Sequence, residues 1–186
     1  MKIVRLHTNL DEVINKAIDQ DRSAQKYLYE KYSPKLLSLC RQYVSSIEEA
    51  EDILIASFMK ILKNLGNLEN RNQIEAWMKR ITVNESISYL RSKKNMKIES
   101  IEDKDSSEPD YQMESQLIVS DIQNMIDKLP EGCKVVFNLY AIEGYKHNEI
   151  GQLLSISEGT SKSQLAYARK LLQEMIVQQN KLEIHG

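Results

Sequence analysis

Between Tyr145 and Leu172 the chain carries two apolar repeats of helical period, separated only by Ser155, Ile156 and Ser157. In the first, Ile150, Leu153 and Leu154 fall at i, i+3 and i+4, so one face of a helix is apolar. In the second, Leu165, Ala168, Leu172 and Met175 recur at the same period. Ser157 is placed to cap the second helix, its hydroxyl accepting an orphan backbone N–H. Ile156 can fill the angle between the two. A helix, a tight turn and a second helix form the pattern of a helix-turn-helix, whose second helix can enter a DNA major groove. On that helix Ser163, Tyr167 and Lys170 lie opposite the apolar stripe, with Lys162 and Arg169 flanking it. Spacing alone leaves an ordinary helical hairpin with a solvated polar face equally open.

The rest of the chain reads as helix too. Only 6 Gly and 3 Pro occur in 186 residues, which favours an all-α fold. Thr8 to Asp11 looks like a capping-box start, followed by Val13, Ile14, Ala17 and Ile18. Ala24, Tyr27, Leu28 and Tyr32 form the next face. A new helix is expected at Ser33-Pro34, since Pro suits a first turn, and it buries Leu36, Leu37, Cys40, Tyr43 and Val44. The tyrosines read as core and rim packing rather than a base-stacking platform. Ser45 with Glu48, or Ser46 with Glu49, opens a longer helix with a core stripe of Leu54, Phe58, Ile61, Leu62 and Leu65. Ile55 and Met59 widen that stripe sideways, which suggests a docking surface for another protein. Gly66 ends this helix. Asn67 to Gln73 is an amide-rich turn. A helix from Ile74 to Leu90 follows, with Trp77, Ile81, Ile87 and Leu90 inward and Lys79, Arg80 and Arg91 making it basic. That basic end suits either nucleic acid or a solvated helix terminus.

From Glu99 to Glu114 the charge inverts, with seven acidic residues against Lys104. This is an acidic flexible linker, extended by self-repulsion. The expected organisation is two small helical domains, 1–96 and 116–186, joined by a linker at 97–115. In the second domain Leu117, Ile118, Ile122, Met125, Ile126 and Leu129 form an amphipathic helix. Pro130 starts another, and Glu143-Gly144 closes it. The tail from Gln178 onward is expected to fray.

A net charge of −2 is unusual for a free-standing DNA binder, because phosphate neutralisation supplies most of such affinity. Contacts to nucleic acid must then come from local patches, or with help from a larger partner. Cys40 and Cys133 are isolated, which argues against a disulfide framework or zinc site and fits a reducing cytoplasm. No signal peptide or membrane-spanning run is evident. His7, His147 and His185 are scattered, and no nucleophile–base pair, phosphate-cradling Gly loop or metal cluster appears. An enzyme, a metal site, a cofactor and a small-molecule substrate are therefore not expected.

Taken together, the residues resemble the extracytoplasmic-function group of bacterial RNA polymerase sigma factors. In the second half the resemblance rests on Leu129-Pro130-Glu131, Val136 to Tyr140, Glu143-Gly144-Tyr145, Glu149-Ile150, Ile156 to Thr160, Lys162-Ser163 and Ala168-Arg169. In the first half it rests on Tyr29 to Tyr32, Ala50 to Ile53, Phe58, Trp77, Ile81, Asn84 and Tyr89 to Arg91. The resemblance implies a factor that binds core RNA polymerase and directs initiation at promoter DNA. Glu51, Asp52, Ile55, Ala56, Phe58 and Met59 would dock on the polymerase clamp. Asn67, Asn70, Arg71, Asn72, Gln73, Trp77, Arg80, Asn84 and Arg91 would take the melted −10 element. Glu158, Gly159, Thr160, Lys162, Ser163, Gln164, Tyr167, Arg169 and Lys170 would read the −35 element. An anti-sigma factor is a common partner in the family, and nothing in the sequence identifies one. Ile55 and Ala56 depart from the polar and acidic pair usual after the Asp-Ile of the clamp helix. Ser88 stands where many members carry Asp, and Gln164 and Tyr167 where Arg is frequent. A stand-alone helix-turn-helix regulator and a degenerate sigma-like adaptor are the alternatives.

Overall fold

The computed structural model describes residues 9–93 and 119–184. The expected linker at 97–115 lies outside these residues, as do Thr8, Leu117 and Ile118. The chain divides into two compact units, residues 1–89 and 90–186. Among the described residues every regular element is helical, and no helix is long and apolar enough to cross a membrane.

The first unit is built on α1 (Leu10–Ile18), α2 (Arg22–Cys40), α3 (Ile47–Asn64) and α4 (Ile74–Ser92), whose last three residues are counted with the second unit. Asn9 caps α1, its side chain accepting from the Asp11 N–H at 3.1 Å. The cap is thus one residue beyond the Thr8 that the sequence suggested. Asp21 caps α2 through the Ala24 N–H at 2.8 Å. Ser46, not Ser45, caps α3.

The helix break expected at Pro34 does not occur, and α2 runs through it. Pro removes one backbone donor and kinks an isolated helix. Here Leu28, Tyr32, Leu36, Leu39 and Cys40 are buried on both sides of it, and that continuous packed face outweighs one missing bond. In α4 the fully buried position is Met78, with Ile74, Val83, Ile87 and Leu90, while Trp77 and Ile81 are only half-buried. The inward face is therefore rotated by one residue from the expected one in the first turns. Buried hydroxyls are satisfied by the carbonyl one turn back: Ser57 on Ile53, Thr82 on Met78, Ser86 on Thr82. A Lys60–Glu85 ion pair joins α3 to α4. Tyr32 and Tyr43 are core residues. Tyr29 stands at the rim, edge-on to Phe58 with centroids 4.8 Å apart.

The second unit contains α5 (Val119–Asp127), α6 (Glu131–Phe137), a wide π turn over Asn138–Ile142, α7 (His147–Leu154) and α8 (Glu158–Ile184). The π turn is closed by the Glu143 N–H on the Asn138 carbonyl at 2.9 Å. Gly144 ends it with a φ of +77°, a backbone region that glycine enters without penalty. Pro130 stands at the N-cap of α6. α8 packs against α5, α6 and α7. Leu129, Cys133 and Ala168 form a core cluster, with Phe137, Tyr167, Leu171, Leu172 and Met175 against it. Buried Lys134 is neutralised by Asp127 at 2.6 Å.

Candidate functional site

In the second unit the connection between α7 and α8 is set by its backbone. Ser155 takes the left-handed conformation (φ 57°), and the Ile156 N–H donates to the Gly151 carbonyl at 3.0 Å. The turn folds back so closely that a Cβ on Gly151 would lie 2.9 Å from the Ile156 carbonyl oxygen. Ile156 is half-buried rather than enclosed. Ser157 caps α8, accepting from the Thr160 N–H at 2.9 Å and bonding the Thr160 hydroxyl at 2.8 Å. At the start of α7 the Lys146 N–H donates to Glu149 Oε2 at 2.8 Å.

The side chains of α8 sort into two sets. Glu158, Gly159, Lys162, Arg169 and Lys170 are exposed, and Ser163 is half-exposed. Thr160 and Gln164 are buried and not on the outward face, which corrects the sequence reading, and Tyr167 is half-buried. Thr160 is buried as part of the cap. Gln164 is 5% exposed, and its Oε1 accepts from Cys133 Sγ at 2.9 Å. Tyr167 packs on the Leu129–Cys133–Ala168 cluster. The physical reason is that α8 is covered by three helices at once, so its buried arc is wider than its apolar stripe.

Sequence reasoning did not single out a second group on this surface. His147, in the first turn of α7, stacks on Tyr140 with centroids 4.5 Å apart. Its Nδ1 is 2.9 Å from Ser161 Oγ, and the Arg169 guanidinium lies 5.9 Å from the same Tyr140 ring. Partial burial lowers the His147 pKa from 6.5, with Lys162 and Arg169 repelling its charge and Glu158 opposing them. Lys162 pairs with Glu158 at 2.7 Å and holds that carboxyl below its usual range. Both partners are exposed, so the pair is weak and Lys162 can exchange it for a phosphate. The π turn that brings Tyr140 to His147 has no plain sequence signal.

In the first unit the 65–73 segment leaves α3 through a 3-10 turn at Leu65–Asn67 and enters α4 through another at Arg71–Gln73. Asn67, Asn70, Asn72 and Gln73 are exposed. The Asn70 side chain accepts from the Asn72 N–H at 3.1 Å. The Arg71 guanidinium donates to the Asp11 carbonyl at 3.0 Å and to Asn15 Oδ1 at 2.6 Å. Arg80, Asn84 and Arg91 are exposed, and Trp77 is half-buried.

On α3, Glu51 and Asp52 are exposed, as are Ile55 (53%) and Met59 (69%), while Ala56 is half-buried. Phe58, expected to be a contact residue, is buried in the core. At 100° per residue it falls with Leu54 and Ile61 on the inner face, so it supports Tyr29 from beneath. A cavity of about 370 Å³ lies between α2 and α3, lined by Tyr29, Pro34, Leu37, Glu51, Leu54 and Ile55. Among the described residues no group of His, Cys, Asp and Glu side chains could hold a metal ion.

Comparison with known proteins adds independent findings. The family model for sigma-70 region 2 matches residues 28–96, and that for sigma-70 region 4 matches residues 120–172. The chain is 26% identical to the ECF RNA polymerase sigma factor SigW of Bacillus subtilis, over 90% of this chain and 98% of that one. It is 25% identical to the RNA polymerase sigma-H factor of Pseudomonas aeruginosa, over 84% and 88% of the two chains. It is 24% identical to the ECF RNA polymerase sigma-E factor of Haemophilus influenzae, over 89% and 95%. Among solved structures, the sigma factor RpoE of Bartonella quintana, crystallised with the anti-sigma factor NepR, shares the fold. It has a TM-score of 0.50 and 22% identity, over 82% of this chain and 96% of that one.

Proposed function

The chain belongs to the extracytoplasmic-function group of the sigma-70 family, and from that membership we propose how its two units divide the work of directing transcription. A sigma factor associates with core RNA polymerase and with promoter DNA. In our reading the outward strip of α3, made of Glu51, Asp52, Ile55 and Met59, docks on the polymerase clamp. The 65–73 loop, with Arg80, Asn84 and Arg91 of α4, receives the melted −10 element. The exposed side of α8, from Glu158 and Lys162 to Arg169 and Lys170, lies along the −35 duplex. The chain does no chemistry of its own and works in the cytoplasm beside the polymerase. A protein inhibitor like that bound to the Bartonella relative belongs to the same proposal, since covering α3 would exclude polymerase.

The observation that carries this reading is the outward cationic side of α8, set at a fixed angle to α7 by the left-handed Ser155 and the close approach at Gly151. Run-off transcription with purified core polymerase is the test. The expected outcome is promoter-dependent product only when both chain and core are present. Tight promoter binding by the chain alone, with no product on adding core, favours a stand-alone regulator instead. Binding to core without product favours a sigma-like adaptor.

A further inference from the structure

We propose that Arg71 is a positioning residue: it ties the 65–73 loop to α1 and thereby holds the loop's amide side chains in place for single-stranded DNA. This rests on the reading of that loop as the −10 site. Among the described residues the loop's other polar ties are local. The Leu68 N–H reaches the Leu65 carbonyl at 3.2 Å, the Gln73 N–H reaches the Asn70 carbonyl at 3.0 Å, and the Asn70 side chain takes the Asn72 N–H at 3.1 Å. Such bonds shape each turn but do not fix the loop against the rest of the unit.

Arg71 does fix it. Nη1 donates to the Asp11 carbonyl at 3.0 Å and Nη2 to Asn15 Oδ1 at 2.6 Å, across 60 and 56 residues of sequence. Asp11 and Asn15 are one helical turn apart, so both face the same way. A planar guanidinium fork matches two acceptors so spaced, and an ammonium does not. A helical carbonyl has a second lone pair, so Asp11 can accept this bond without losing its own. The exposed side chains of Asn67, Asn72 and Gln73 flank this anchor. The two bonds use two of the guanidinium's five N–H donors and hold the group against α1.

The test uses the full chain assembled with core polymerase. Affinity is measured for a fluorescent single-stranded oligonucleotide carrying the non-template −10 segment of the promoter active in run-off. Arg71→Ala and Asn15→Ala should each weaken binding by about 5- to 10-fold. The double variant should be no worse than Arg71→Ala alone, as for two halves of one interaction. Asn15→Asp keeps the acceptor and should retain affinity, while Arg71→Lys should recover only part of it. The slope of log affinity against log salt should stay unchanged in Arg71→Ala, because no phosphate contact is lost. Hydrogen exchange at the 68–73 amides should accelerate in both alanine variants and not in Asn15→Asp. A loss confined to Arg71→Ala, or a reduced salt slope, overturns the proposal in favour of direct contact. Unchanged exchange in both alanine variants overturns it also. Asn72→Ala with Gln73→Ala tests the underlying reading separately. If that pair leaves affinity intact while exchange responds to Arg71 and Asn15, the anchor stands and the −10 assignment of the loop falls.

Discussion

Gly151 sits in the interior of α7, where alanine would ordinarily gain about 1 kcal/mol from helix propensity. Here the added Cβ would stand 2.9 Å from the Ile156 carbonyl oxygen, a backbone atom that can move only with the whole turn. Overpacking of this kind costs about 1–3 kcal/mol and outweighs the gain. Gly151→Ala is expected to lower the stability of the second unit, measured by denaturant unfolding, and to weaken duplex binding by tilting α8. His147 makes a second prediction. Its folded-state pKa lies below 6.5, chiefly through partial burial. The unfolded chain therefore binds the proton more readily, and stability present above about pH 6.5 is lost as pH falls through the folded pKa. His147→Gln should flatten the dependence of melting temperature on pH between 7.5 and 5.5. The thiols add to the residue picture: burial pushes Cys40 up to about 12 and raises Cys133 as well, consistent with packing rather than reactivity.

Individual helices carry the binding predictions. Ile55 is more than half exposed, so Ile55→Asp should leave melting temperature nearly unchanged while reducing assembly with core polymerase in co-purification. Replacing Lys162 and Arg169 together with Ala should lower duplex affinity across sequences and reduce the salt slope by about 2, roughly one for each lost phosphate contact. An unaltered slope removes these residues from the interface. At this scale most helices were legible, because Leu54 and Ile61, or Ile150 and Leu154, repeat at the helical period and are buried as expected. The failures have physical causes. Pro34 reads as a helix start because its local preference is visible and the packing that overrides it is not. Gln164 reads as a base contact because a polar residue beside an apolar stripe looks solvated until three neighbouring helices are placed around it. The tie from Arg71 to α1 is invisible in the sequence because its acceptors lie 60 and 56 residues away. His147 was visible but isolated in sequence, its partners being Tyr140 on a π turn and Ser161 on another helix.

For the whole molecule the charge balance is decisive. A chain of net charge −2 has little long-range attraction for DNA, and its 25 Lys and Arg residues are spread along the chain, with only local groups such as Lys79 and Arg80 on α4 and Lys162, Arg169 and Lys170 on α8. The isolated chain should therefore bind promoter duplex weakly at physiological salt. Adding core polymerase should raise both affinity and sequence discrimination, measured by anisotropy on matched and scrambled promoters. Equal affinity with and without core would contradict the division of labour proposed above.

The widened turn at Asn138–Ile142 has an implication for anyone exchanging segments between this protein and a relative. One surplus residue in a helix displaces everything after it by about 100° around the axis. A graft whose donor lacks that surplus would carry Tyr140 away from the imidazole it supports. Swaps in this region should therefore transfer the stretch from Glu131 through Arg169 intact, or leave all of it behind.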